Sequence, residues 1–144
     1  MVCHRDQTSP GRLLIVLDAS AAVDYLLAIG AFERIAARIG SAGETLHAPE
    51  LLDVEVVQGL RRLVRQARLT SARAEAALGD LAGLRIRRYP HRRLIDRIWE
   101  LRDNVTVFDA AYLALAEALD APVVTADAAL ARSPGHRVLV ELYR

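Results

Sequence analysis

The sequence predicts one α/β domain, with a parallel sheet covered by helices on both faces. Three observations carry this. The chain has 144 residues, about the size of one ordinary domain. Its composition is 53% hydrophobic and 26% charged, which suits a chain that buries a core and not a disordered one. Short apolar runs of strand length alternate with longer stretches at helical spacing, a pattern that joins parallel strands by right-handed crossovers.

Leu13–Leu17 is a continuous apolar run with β-branched members, as expected of a strand buried on both faces. Asp18, Ala19 and Ser20 lead into a helix through Leu27, and a second helical stretch, Phe32–Ile39, stops at Gly40 and Gly43. Residues 45–48 read as a short strand. Pro49, tolerated in a first helical turn, is expected to open a long helix to about residue 69, and a further helix covers 71–81. Residues 84–88 alternate apolar side chains with arginine and are expected as a strand. Pro90 then opens a helix carrying Leu94, Ile95, Ile98 and Leu101 at helical spacing. Residues 104–107 break it, Thr106 is the expected N-cap of a helix through Leu119, and strands at 122–125 and 138–142 flank a short helix, Ala128–Ala131. Tyr89 is an aromatic available for stacking on a base. Trp99, beside Ile98 on an amphipathic helix, is expected in the core.

Composition excludes several classes. The longest apolar runs, 13–17 and 110–116, fall short of the roughly 20 residues that span a bilayer, so no membrane span is expected. Residues 1–11 are polar and lack the apolar segment of a secretory signal. They are expected to form a flexible extension ahead of a domain at 12–144, in a cytoplasmic protein. With Cys3 alone there is no intrachain disulfide and no thiolate cluster for zinc, and His4, His47, His91 and His136 are scattered. All 19 basic residues are arginine, which removes P-loop, Schiff-base and receiver-domain chemistry, each of which needs a lysine. Net charge is +1, yet residues 61–102 carry 12 arginines against Glu75, Asp80, Asp96 and Glu100, and the remainder is acidic. A basic region beside acidic residues suits a polyanionic substrate; solvated helix faces are the plainer explanation.

In open parallel sheets ligands bind beyond the carboxyl ends of the strands. Asp18 directly follows the first strand and Asp127 lies two residues past Thr125. Each also reads as an N-cap, and Asp109 as the partner of Thr106 in a capping box. Glu55 differs: it stands in a helix dense enough in apolar residues to be largely buried, where a carboxylate needs a proton, an arginine or a metal. Asp53 is about 200° round that helix from Glu55, so the two acids serve different faces. Glu55 is chosen because Arg62, two turns on, extends its stripe as a substrate-side cation, and partly because a family resemblance implies it. An all-oxygen set of Asp18, Glu55, Asp109 and Asp127 suits Mg²⁺, or Mn²⁺, rather than zinc. Two such ions about 4 Å apart support in-line phosphodiester hydrolysis.

These residues resemble the PIN domains, and within them the VapC toxins of bacterial toxin–antitoxin pairs. The likeness spans nearly the whole chain: Leu17, Asp18, Ala19, Ser20; Ala48, Pro49, Glu50, Leu51 leading to Glu55; Asn104, Thr106, Phe108, Asp109, Ala110, Ala111, Tyr112 to Leu115 and Ala116; and Ala121, Pro122, Val124, Thr125 to Asp127. It implies a three-layer α/β/α sandwich with strand order 3-2-1-4-5. It also implies a Mg²⁺-dependent ribonuclease that leaves 5′-phosphate and 3′-hydroxyl ends. By that likeness Asp18, Glu55, Asp109 and Asp127 are the acidic quartet, with Asp18 and Asp109 the surest metal ligands. Ser20, Asn104, Thr106 and Thr125 match polar positions that orient the acids or bind water. A VapB-like antitoxin, whose C-terminal segment fills the groove and often offers an arginine to the acids, and a homodimer are likewise implied. The polar extension before Arg12 departs from the family, whose members usually start near the first strand. Arg62, Arg65, Arg87 and Arg93 are candidate RNA contacts.

Two rivals stand beside this reading. A haloacid-dehalogenase-like phosphatase needs a second acid two residues after the first, where this chain has Ser20. A catalytically silent PIN-like module would keep the quartet and bind RNA without cutting it.

Overall fold

The computed structural model describes residues 13–144, so the extension expected at 1–11 lies outside the described residues. Its elements in chain order are β1 (Leu13–Leu17), α1 (Ala19–Leu27), α2 (Phe32–Ile39), β2 (Glu44–Pro49), α3 (Leu51–Arg65), α4 (Ser71–Gly83) and β3 (Ile86–Tyr89). After a 3₁₀ turn (Arg92–Leu94) come α5 (Ile95–Glu100), α6 (Val107–Leu119), β4 (Val123–Thr125), α7 (Ala128–Ala131) and β5 (Val140–Leu142). The five strands form one parallel sheet in the order β3-β2-β1-β4-β5, as the resemblance implied. Among the described residues no helix is long and apolar enough to cross a membrane.

The core forms where the apolar runs were densest. Ile15, Val16 and Leu17 of β1 are wholly buried, in keeping with the strand's place at the centre of the sheet. In α6 every residue from Ala110 to Ala116 is buried, so this helix lies inside the domain instead of lending it one face. The chain runs from β1 to β2 and β3 on one side of the sheet, then crosses to β4 on the other. The switch point therefore falls beside β1, at the carboxyl edge where Asp18 emerges.

Four expectations are corrected. Pro49 does not open a helix: it is the last residue of β2, in register with Tyr89, and the ladder continues through the Glu50 amide to the Tyr89 carbonyl at 2.9 Å. A proline at the end of a strand forfeits no ladder bond there. Helix α3 stops at Arg65, because Ala67 turns left-handed at φ 55° and the amide of Arg68 returns to the Leu63 carbonyl at 2.9 Å, closing the helix as a Schellman turn. That helix is amphipathic and not largely buried: Leu52, Val56 and Leu60 face the core, while Val54 and Val57 are exposed. Trp99 is not core but 62% exposed. Buried Leu94 and Leu101, with half-buried Ile98, carry the inner face of this segment, and Trp99 points outward under the Arg102 guanidinium, 4.2 Å from the ring centroid.

Candidate active site

Asp18 occupies the N-cap position of α1, with extended backbone (φ −79°, ψ 152°), yet its side chain makes no capping bond. Its partners lie across the sheet. The β1–β4 ladder gains one more bond, from the Asp18 amide to the Val124 carbonyl at 3.0 Å, which sets Asp18 beside Thr125. Oδ2 of Asp18 accepts from the Ser20 hydroxyl at 2.5 Å and from the Thr125 hydroxyl at 2.8 Å. Both bonds fall on one oxygen, which leaves Oδ1 for the groove. The same hydroxyls also fix the loop after β4: Ser20 accepts from the Ala126 amide at 3.0 Å and Thr125 from the Asp127 amide at 2.9 Å. A carboxylate only 5% exposed, with no cation paired to it among the described residues, resists ionisation. Burial accordingly pushes the Asp18 pKa up, against the lowering pull of the Ser20 and Thr125 hydroxyls.

Asp127 caps α7, its Oδ1 accepting from the Ala129 amide at 2.8 Å, so the capping explanation holds for this residue alongside its place in the site. Asp109 lies in the first turn of α6, where Thr106 is the N-cap as expected and accepts from the Asp109 amide at 3.2 Å. Burial, then the charges of Asp18 and Asp127, push the Asp109 carboxyl up to about 6. Glu55 projects from the flank of α3. Burial raises its pKa, with Asp18 and Asp109 adding to the rise, and the hydroxyl of Tyr112 opposes it.

All four acids line one groove of about 530 Å³ at the carboxyl edge of the sheet, between α1 and α3. The two helices pass closely because α3 has a glycine there: a Cβ on Gly59 would come within 3.2 Å of Val23 Cγ2. Ser20 and Arg62 line the groove as well. Asp53 does not; it holds Arg88 through two bonds, at 2.6 and 2.8 Å, on the other side of the helix. The remaining candidates are dispersed. Asn104 packs on Gly135, where a Cβ would meet its Nδ2 at 2.1 Å. Arg65 and Arg93 are solvent-exposed away from the groove. Arg87 lies over the Tyr89 ring at 5.3 Å and lines a separate cavity with His47, whose Nδ1 meets the Tyr89 hydroxyl at 2.7 Å.

Residues unmarked in the sequence complete the groove: Asp24, Gln58, Gln66 and Arg68. Asp24 had a signal, as the lone acid in an apolar helix, and burial raises its pKa. Arg68 had none, because the α3 terminus that carries it into the groove is set by the left-handed turn at Ala67. Among the described residues no three His, Cys, Asp or Glu side chains stand close enough together to hold a metal ion. The four predicted acids instead stand apart, near enough that the charges of Asp18 and Asp127 raise the Asp109 pKa and those of Asp18 and Asp109 raise that of Glu55. Their oxygen-only donors, the buried charge of Asp18 and the unpartnered Oε1 of Glu55 are features a hard divalent cation would neutralise. Position 20 offers a hydroxyl spent on Asp18 and no second acid, so the dehalogenase-like phosphatase lacks its acid/base group.

Comparison with known proteins agrees with this fold. The PIN domain family model matches residues 15–135. Ribonuclease VapC1 of Mycobacterium tuberculosis is 47% identical over 131 residues, covering 90% of this chain and 97% of its own. Ribonuclease VapC9 of the same organism is 46% identical over 114 residues, covering 79% and 86%. Among solved structures, VapBC2 from Rickettsia felis bound to a promoter DNA fragment superposes with a TM-score of 0.67 at 14% identity, over 92% of this chain and 100% of that one. Mycobacterium tuberculosis VapC20, a sarcin–ricin-loop-cleaving toxin, gives 0.63 at 16% identity, over 81% and 92%. At such identities the structures speak for the fold alone.

Proposed function

The chain belongs to the PIN-domain family, among the VapC ribonucleases, and from that premise we propose that it is a Mg²⁺-dependent endoribonuclease, the toxic member of a toxin–antitoxin pair acting in the cytoplasm. One observation carries the chemical part of the reading. Four carboxylates from four separate segments converge on one groove and none has a cationic partner among the described residues. Asp18, Asp109, Glu55 and Asp127 would hold Mg²⁺, with Mn²⁺ as the alternative. Such a cation, when bound, activates the attacking water and neutralises charge on the scissile phosphate.

The chain's own groups do the positioning. Ser20 and Thr125 hold Asp18 through one oxygen, and the amides of Ala126 and Asp127 lock that pair of hydroxyls to the loop. Thr106 fixes the start of α6 and with it Asp109. Arg62 and Arg68, on the groove's α3 side, supply positive charge to an RNA backbone that would otherwise be repelled by the acids. The same charge pattern suits a VapB-like antitoxin whose C-terminal segment enters the groove and offers an arginine to the acids. We include a homodimer in the proposal on the strength of the family.

The test is cleavage of total bacterial RNA by purified, antitoxin-free protein in Mg²⁺, Mn²⁺ or EDTA, beside Asp18→Asn. Discrete products that need the metal and vanish in the variant are the expected result. RNA that is retained but never shortened, in any metal, would replace the nuclease with the silent RNA-binding module.

A further inference from the structure

Under the floor of the groove lie two buried polar atoms without a hydrogen-bond partner, Oε1 of Glu55 and the hydroxyl of Tyr112. Tyr112 is wholly buried in the all-buried stretch of α6. A phenylalanine would fill nearly the same volume without the cost of desolvating a hydroxyl, so a phenol here calls for an explanation. Tyr112 lies three residues after Asp109 and so projects from the same side of α6, toward the acids. Tyr112 and Glu55 stand within hydrogen-bonding reach, so that the phenol acts on the ionisation of the carboxylate, yet the contact falls short of a fully formed hydrogen bond. A phenol keeps its proton at neutral pH, so the hydroxyl is available to donate.

The other three acids of the predicted quartet each have a group that orients them: Ser20 and Thr125 for Asp18, the Ala129 amide for Asp127, and Thr106 at the helix start for Asp109. Glu55 has the longest side chain of the four and no such bond. We propose that Tyr112 is a positioning residue whose hydroxyl donates to Oε1 of Glu55 when the groove takes up a divalent cation, fixing the carboxylate so that its second oxygen serves the cation. The small adjustment that closes this bond satisfies both orphaned atoms at once. The proposal rests on the reading of the groove as a cation site.

Calorimetric titration of Mn²⁺ into metal-free wild type, Tyr112→Phe, Glu55→Gln and the double variant tests it, with a thermal melt of each in EDTA. Tyr112→Phe is expected to melt no lower than wild type, since in the metal-free state its hydroxyl makes no fully formed hydrogen bond while bearing the cost of burial. It is expected to bind Mn²⁺ about tenfold more weakly, the loss typical of removing a group that orients a ligand. In the Glu55→Gln background the same substitution should change affinity by less than about twofold, because the residue it acts through has lost its charge. Equal losses in both backgrounds, or unchanged affinity with a lower melt, would make Tyr112 a purely structural residue and overturn its role while leaving the cation site intact. A wild type that binds no Mn²⁺ overturns both together.

Discussion

The flanks of the sheet and the groove at its carboxyl edge treat negative charge in opposite ways. On the flanks every acid that meets an arginine is matched by it: Glu44 and Glu141 share Arg38, Glu100 and Glu117 share Arg97, and Asp53 takes both nitrogens of the Arg88 fork. In the groove Asp18, Glu55, Asp109 and Asp127 have no ion pair among the described residues, although Arg62 and Arg68 line the same walls. Glu55 and Asp53 make the contrast sharpest, since they are two residues apart on one helix and only the first faces the groove. Partly exposed pairs such as Asp53–Arg88 contribute little to stability, whereas gathering unpaired carboxylates costs some. A groove that keeps its charge at a cost to the fold is arranged for something that arrives from outside.

Removing charge from each region should separate them. The largest effect is expected at Asp18→Asn, which should lower RNA cleavage by at least ~100-fold, because it removes a direct ligand rather than an orienting group. It should also raise the melting temperature in EDTA, since it relieves a buried charge. Wild-type cleavage by this variant would break the comparison outright. Next come the two acids of α3. Glu55→Gln should impair cleavage strongly, while Asp53→Asn should leave it nearly unchanged and cost about 0.5 kcal/mol of stability, the usual worth of a partly exposed pair. Parallel kinetics and denaturant melts read both quantities, and the reverse ranking of activity would place the site on the wrong face of α3.

A smaller effect belongs to Asp109 in the metal-free protein. Its carboxyl titrates near 6 when folded, against an ordinary value of 3.8, so between those values the folded state holds the proton more tightly than the unfolded one. Stability from this group is therefore greatest below about pH 4 and declines as pH rises through 6. In EDTA, Asp109→Asn should flatten that decline, and an unchanged pH profile would count against the crowding of charge in the groove. The smallest effect is expected at Trp99→Ala. The ring is exposed, so the isolated chain should change by no more than about 0.5 kcal/mol in a denaturant melt.

Much of this arrangement could be read without coordinates, where a local signal coincided with the tertiary answer. Leu13–Leu17 reads as a strand because a short apolar run with β-branched members suits the middle of a parallel sheet, where Ile15–Leu17 are buried although Leu13 is 60% exposed, and Thr106 marks the start of α6 because its hydroxyl caps it. Asp18 and Asp127 follow from a general property of parallel sheets, whose ligands collect at the carboxyl ends of strands. Other features depend on contacts that no local pattern encodes. Pro49 looks like a helix opener until β3 pairs with it, and α3 ends at a left-handed alanine where no glycine announces the stop. Trp99 obeys the burial preference of its residue type less than the geometry of a six-residue helix whose neighbours already cover the core. The burial expected around Glu55 is not what α3 provides, yet the stripe that singles this acid out, continued by Gly59 and Arg62, is the one facing α1 and so lines the groove. Asp24, Arg68 and Tyr112 reach the site only once α1, α3 and α6 are packed together.

The claim that the unpaired acids of the groove form a cation site is tested most directly by anomalous diffraction from crystals of the antitoxin-free protein soaked in Mn²⁺. The account predicts a peak about 2.0–2.3 Å from carboxylate oxygens of Asp18 and Asp109, distances usual for a small divalent cation on oxygen ligands, with Glu55 or Asp127 completing the contacts. A groove without a peak, in crystals whose manganese sits only on surface acids, would contradict it.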